Sequence, residues 1–261
     1  MTDILAIGSG SLVGFMLGLI GGGGSILATP LLLYVVGVAP PHVAIGTSAL
    51  AVSANAFVNF AGHWRAGNVR WGNAVVFAAF GVLGALGGST LGKAFDGQRL
   101  LFLFAVIMVV VGLLMLRSGR KPEIVAPPTR HEPAFTWKLV FVALAVGLLS
   151  GFFGIGGGFL IVPGLLFATG MPLINAIGTS LFAVGTFGLA TAANYAVSGL
   201  VDWKIAGEFI AGGLVGGWLG LSLGSRIAGH KSALNSIFAF VIFAVAVYMF
   251  YRTGESWLRA R

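Results

Sequence analysis

The chain has 261 residues, 57% of them hydrophobic and 8% charged, with a mean hydropathy of +1.00; an ordinary soluble domain carries about 25% charged residues. That composition excludes a soluble catalytic domain and predicts an all-α integral membrane protein. The net charge of +8 sits at the ends of apolar runs and in one connector, which excludes nucleic acid as a partner, and the lack of cysteine excludes disulfides, thiolate metal ligands and cysteine nucleophiles.

The first apolar run covers residues 4 to 20. It lacks the positive start of a signal peptide, and no Lys or Arg precedes Arg65, so the run is expected to be retained. It leads into IGGGGSILATP, residues 20 to 30, where Gly21, Gly22, Gly23 and Gly24 interrupt a helical pattern. Further runs follow at roughly 24 to 38, 43 to 61, 72 to 92 and 98 to 116. The stretch 117 to 137, with its prolines and mixed charges, reads as a flexible connector. Five more runs lie near 138 to 153, 157 to 169, 174 to 198, 205 to 226 and 232 to 251.

The second five repeat the first. Gly21, Gly23, Gly24 and Pro30 align with Gly154, Gly156, Gly157 and Pro163 at an offset of 133. At an offset of 132, AIGTSAL (44 to 50) aligns with AIGTSLF (176 to 182), GNVRW (67 to 71) with GLVDW (199 to 203), and Gly84, Gly88 and Gly92 with Gly216, Gly220 and Gly224. The expected organisation is therefore an N-terminal repeat, 1–116, a connector, 117–137, and a C-terminal repeat, 138–261. The first two runs of each half are short, about 14 to 17 residues, and either cross while tilted or form a re-entrant pair. In both cases each half crosses an odd number of times, so the halves are inverted relative to one another. Nine Lys/Arg then fall on the connector side and six on the other, which places the connector in the cytoplasm and both termini outside.

The glycine runs admit two functions. Small residues let helices pack closely, and Gly10, Gly14, Gly18 and Gly22 keep a four-residue spacing. Alternatively the helices unwind there and turn backbone amides toward an anion at the start of the next helix, with Ser25 beside the first run and Gly154, Gly156, Gly157 and Gly158 forming the second. The paired GTS motifs supply Thr47, Ser48, Thr179 and Ser180, which either bond their own helices or donate to an oxyanion. Asn55, Asn59 and Asn194 are either interhelical glue or part of the same site. The ladders at 84, 88, 92 and 216, 220, 224 read as packing seams.

Six of the seven acids lie at run ends or in loops, and only Glu208 enters a span. Cation pathways and proton relays use buried carboxylates, so Glu208 is what a proton-coupled or cation permease would need. His42, His63, His131 and His230 fall near span ends with no ligand spacing, so neither a metal nor another cofactor is expected. No catalytic set converges, and an enzyme is not expected. A non-transporting membrane subunit or scaffold is the remaining alternative.

The order G-x-G-G-G-x(4)-P, with Ser25 in place of the last glycine in the first half, then G-T-S, then G-x-V-x-W, present in both halves and spanning essentially the whole chain, resembles the TauE/SafE family of anion exporters. The resemblance implies a multi-pass permease of a bacterial or archaeal cytoplasmic membrane. It also implies a small anionic substrate such as sulfite or a sulfonate. It leaves the individual anion, the coupling ion and the oligomeric state open.

Overall fold

Long apolar runs in a bilayer can satisfy their backbone only as helices or closed barrels. The computed structural model describes residues 2–118, 136–154, 158–224, 240 and 242–252, and among them there are helices and no strand. In chain order, α1 (Thr2–Ile20) runs into a 3-10 turn, Gly21–Leu27, then a single α-turn, α2 (Ala28–Leu31), and a π-helical turn, Leu32–Val36, that stops at left-handed Gly37. There follow α3 (Pro41–Arg65), α4 (Trp71–Ala94), α5 (Gly97–Ser118), α6 (Trp137–Phe153), α7 (Gly158–Thr169), α8 (Leu173–Val197), α9 (Trp203–Gly224) and α10 (Ile242–Arg252).

Local chemistry sets these ends. Pro41 starts α3, where its missing N–H costs nothing. The Thr136 hydroxyl accepts from the Leu139 N–H at 3.3 Å and caps α6. α1 is longer than expected, 19 residues, because the helix begins at Thr2 and runs directly to the glycines. Among the described residues five helices, α1, α3, α4, α8 and α9, are long and apolar enough to cross a membrane. Phe141, Val197 and Trp218 stand exposed on the perimeter, as side chains facing lipid should.

The glycines decide which helices meet. On α1, a Cβ at Gly10 or Gly14 would strike the carbonyls of Phe209 and Gly213, and one at Gly18 would lie 2.6 Å from the Gly217 carbonyl. From α9, Gly212, Gly216 and Gly220 press on Ile7, Ser11 and Phe15 in return. Partner numbers rise together, so α1 and α9 run parallel with their backbones in contact. The same arrangement joins α4 to α6, where Gly84, Gly88 and Gly92 meet Leu144, Leu148 and Phe152, and Gly147 and Gly151 meet Gly81 and Ala85. Each seam therefore joins a helix of one half to a helix of the other.

Between the seams lie α3 and α8, the most enclosed of the five spans. They run antiparallel: Gly46 meets Tyr195, Ser53 meets Gly185, and Gly178 meets the chain just past α3 at Asn68. The Ser53 hydroxyl donates to the Gly185 carbonyl at 2.6 Å, and these two residues are themselves equivalent in the 132-residue repeat.

Adjacent glycines on α4 separate packing from propensity. Gly88 is buried against the Leu148 carbonyl, whereas Gly87 is exposed with nothing within 4 Å of its would-be Cβ. Gly88→Val is expected to lose about 1–3 kcal/mol through overpacking, and Gly87→Val to stay near wild type. Thermal unfolding in detergent, comparing the two variants, checks this.

Candidate functional site

Both glycine runs break their helices, and they do so in different ways. Gly21 takes φ +74° at the end of α1, after which the chain tightens into the 3-10 turn rather than unwinding. A 3-10 turn bonds each amide to the carbonyl three residues back, so the run stays wound rather than extended, and the N–H groups at its start are the ones the turn itself leaves without a partner. In the second half α6 ends at Gly154, φ +66°, and α7 starts at Gly158. Gly156 and Gly157 lie outside the described residues. The breaks touch one another, since a Cβ on Gly22 would come within 2.6 Å of the Gly158 Cα.

Each break also abuts the GTS helix of the other half. Gly21 packs on Ile177, next to Gly178, and Gly154 packs on Ile45, next to Gly46. Ile45 and Ile177 are equivalent residues, so the two contacts are one contact made twice. Left-handed φ and close approach together leave no room for a side chain at either glycine.

The GTS hydroxyls divide into two kinds. The Ser48 and Ser180 hydroxyls donate to the carbonyls of Ile45 (2.9 Å) and Ile177 (2.8 Å), three residues back on their own helices. The hydroxyls of Ser48 and Thr29 lie 2.8 Å apart. The pair ties α2, directly after the first break, to α3. The Ser25 hydroxyl donates to the Gly22 carbonyl at 2.9 Å, folding back over the run. Thr47 and Thr179 instead reach across the molecule. The Asp202 N–H donates to the Thr47 hydroxyl oxygen at 2.9 Å, and the Arg70 N–H donates to that of Thr179 at 3.1 Å. Beside them, Gly46 and Gly178 admit the carbonyls of Leu200 and Asn68. Each GTS motif thus clamps the G-x-V-x-W loop of the opposite half.

The asparagines do not gather. Asn55 and Asn59 lie one turn apart on α3, buried against Gly213 and Gly217 of α9, and the Asn59 amide donates to the Asn55 carbonyl at 2.8 Å. Asn194 sits at the far end of α8, where its side-chain oxygen accepts from Lys93 at 2.7 Å and its amide donates to Ser89 (2.6 Å) and Thr90 (2.9 Å). Its neighbours are α4 residues rather than the glycine breaks. Glu208 lies 3.5 Å from the Lys204 ammonium, which also holds Asp3 at 2.9 Å, in a charge cluster at the α1 and α9 starts. Among the described residues the buried side chains that carry polar groups are Ser, Thr, Asn, His and Tyr195; no carboxylate residue is fully buried, and Glu208 is half-buried with its Oε2 shielded.

Sequence reasoning missed Thr29, Ser53 and Thr191, all buried, and passed over His63 as interfacial. For Thr191 and Ser53 a signal existed: they stand 132 residues from Asn59 and Gly185.

Residues 6–249 match the family model described as "Sulfite exporter TauE/SafE". A "Probable membrane transporter protein" of Xylella fastidiosa (strain 9a5c) is 58% identical over 97% of both chains. YunE of Bacillus subtilis (strain 168), also a probable membrane transporter protein, is 27% identical over 87% of this chain and 90% of its own. A probable membrane transporter protein of Methanocaldococcus jannaschii, MJ0441, is 27% identical over 75% and 71%. No solved structure matches the chain.

The paired clamps make a crossed prediction. Thr47→Val removes the acceptor for Asp202, and Thr179→Val removes that for Arg70, each at a cost of about 0.5–1.5 kcal/mol. Hydrogen exchange should speed up in residues 199–203 for the first variant and in 67–71 for the second. Exchange rising at the same loop in both variants would contradict the clamp.

Proposed function

The chain belongs to the TauE/SafE family, and from that premise we propose that this membrane transporter exports a small oxyanion, of the class of sulfite or an organosulfonate, across a bacterial or archaeal cytoplasmic membrane. The observation that carries the proposal is the meeting of the two breaks, Gly22 against Gly158, in an interior whose buried polar side chains carry no negative charge among the described residues. Hydroxyls and amides stabilise an oxyanion by donating to it, and a buried carboxylate would oppose one.

The repeats 1–116 and 138–261 are read as inverted, rocking about the Ser53–Gly185 contact to give alternating access. Support comes from the antiparallel α3 and α8 and from the contacts that recur at equivalent positions: Gly21–Ile177 with Gly154–Ile45, and Thr47–Asp202 with Thr179–Arg70. The anion would pass between Gly21 to Gly24 with Ser25 and Gly154 to Gly158, exchanging donors with Ser48, Ser180 and the amides of Asn55 and Asn59. Thr47 and Thr179 would hold the loops that shape the two entrances, and Asn194 the Lys93 ammonium beside one of them. With the connector 117–137 in the cytoplasm and the potential negative inside, outward movement of a monovalent anion gains about 2.3 kcal/mol per 100 mV, and of a divalent anion about twice that. Export therefore needs no coupling ion on energetic grounds. No cofactor enters.

Proteoliposomes loaded with sulfite test the proposal. An inside-negative potential should speed its release from wild-type vesicles. Gly22→Val, which wedges the breaks apart, should fall to the level of protein-free vesicles with normal membrane insertion, while Glu208→Gln should keep the wild-type rate. Wild-type vesicles that release neither sulfite nor an organosulfonate would sink the proposal, and loss of flux in Glu208→Gln would favour cation coupling.

A further inference from the structure

The clamps and breaks leave one set of buried polar groups unexplained. Among the described residues no hydrogen-bond partner is found for either side-chain atom of the Asn55 amide, the Asn59 side-chain oxygen, both His63 ring nitrogens, the Thr191 hydroxyl or the Tyr195 hydroxyl; the other such atoms, His42 Nδ1, Ser150 Oγ and Glu208 Oε2, are not on α3 beyond Ser53 or on α8. The first five residues are all at least nine-tenths buried. Polar groups without partners are costly at membrane depth and are tolerated where they line a wet cavity.

Their placement is ordered. Asn55, Asn59 and His63 recur every fourth residue, on one side of α3, from next to the Ser53–Gly185 contact to the end of the helix. Gly213, Gly217 and Gly18 face the two asparagines, and a Cβ at Gly213 would collide with the Asn55 amide. Thr191 and Tyr195 are likewise one turn apart, on α8. By the 132-residue repeat Thr191 is the counterpart of Asn59 and Tyr195 the counterpart of His63. The residue types differ between the halves, yet the lack of a partner is kept at both pairs of positions. Because α3 and α8 are antiparallel, the two sets lead away from Ser53–Gly185 in opposite directions.

The α8 set ends beside a cation, and the α3 set leads into a helix end and loop that carry two. Arg65 follows His63 by two residues, and Arg70 closes the same loop. At the other end the Lys93 ammonium lies 5.9 Å from the centre of the Tyr195 ring. Neutral oxygens alone hold it: the Asn194 carbonyl at 2.9 Å, the Asn194 side chain at 2.7 Å and Ser198 at 2.8 Å. Among the described residues the ion pairs are those of Lys204 with Asp3 and Glu208, so none of these three cations is neutralised there.

We infer that the anion enters and leaves along two repeat-related polar files, Asn55–Asn59–His63 on α3 and Thr191–Tyr195 on α8, opening to opposite faces of the membrane. The files take a small oxyanion because their residues offer amide, imidazole and hydroxyl groups and no carboxylate, and because the α8 file ends at the Lys93 ammonium. The ligand class rests on the proposed export function; the existence of wet files does not.

The absence of cysteine from the chain makes the test direct. Asn59→Cys and Thr191→Cys are treated with the membrane-impermeant anionic reagent sulfonatoethyl methanethiosulfonate, in right-side-out and in inverted membrane vesicles. A thiol reacts as thiolate, which forms in water and not among apolar side chains, so both are expected to label at least about tenfold faster than Ala56→Cys, buried on the same helix. Thr191→Cys keeps nearly the native volume and stands as the variant least apt to misfold. The two should react in opposite vesicle orientations, and the cationic trimethylammonium reagent should be slower at both. Any pattern other than labelling of both from opposite sides overturns the files, and faster cationic labelling overturns the ligand class. Labelling as expected in a protein that moves no sulfite would refute the export proposal and leave the files standing.

Discussion

Contact of backbone with backbone between helices of different halves is the constraint on which this structure depends. Lipid gives no hydrophobic drive for helix association, so packing and polar contacts must supply it. The α1–α9 and α4–α6 seams do so by removing Cβ atoms wherever the facing carbonyl approaches, at Gly10, Gly14, Gly212 and Gly216 on one side and Gly84, Gly88, Gly147 and Gly151 on the other. Both seams cross between repeats, so neither half has its packing partners without the other.

The polar contacts follow from that exchange of helices. Loops 66–70 and 198–202 are exposed to half-buried, and the Arg70 and Asp202 N–H groups, which have no place in a helix, need acceptors where the loops lie on α8 and α3. Thr47 and Thr179 provide them, and the preceding glycines let the loops approach. The serines that complete the motifs bond their own helices, which leaves the charge balance of the interior untouched. The acids stay at the periphery: Glu208, the deepest in sequence terms, is held at the membrane edge by Lys204.

The glycine breaks carry two properties in one sequence feature. A left-handed residue, Gly21 or Gly154, reverses the chain, and the residues after it touch the equivalent break. In the first half the run then forms a 3-10 turn, a tighter winding that consecutive glycines tolerate. Composition signals a break at such a run and does not distinguish an open loop from a wound one, since glycine permits both.

Local hydropathy, glycine content and self-similarity are enough to give the helical membrane class, the approximate positions of the long spans, the repeated motifs and the places where helices break. They also mark GTS and G-x-V-x-W as paired motifs. The packed helices add that each GTS motif of one half grips the loop of the other, that Asn194 belongs with Lys93 rather than with Asn55 and Asn59, and that His63 and Tyr195 occupy matching buried positions. Those facts depend on which helices come together across the repeat. That choice is made by long-range backbone contact between residues about 200 positions apart, such as Gly10 with Phe209 and Gly14 with Gly213, and it leaves no trace in the neighbourhood of either residue.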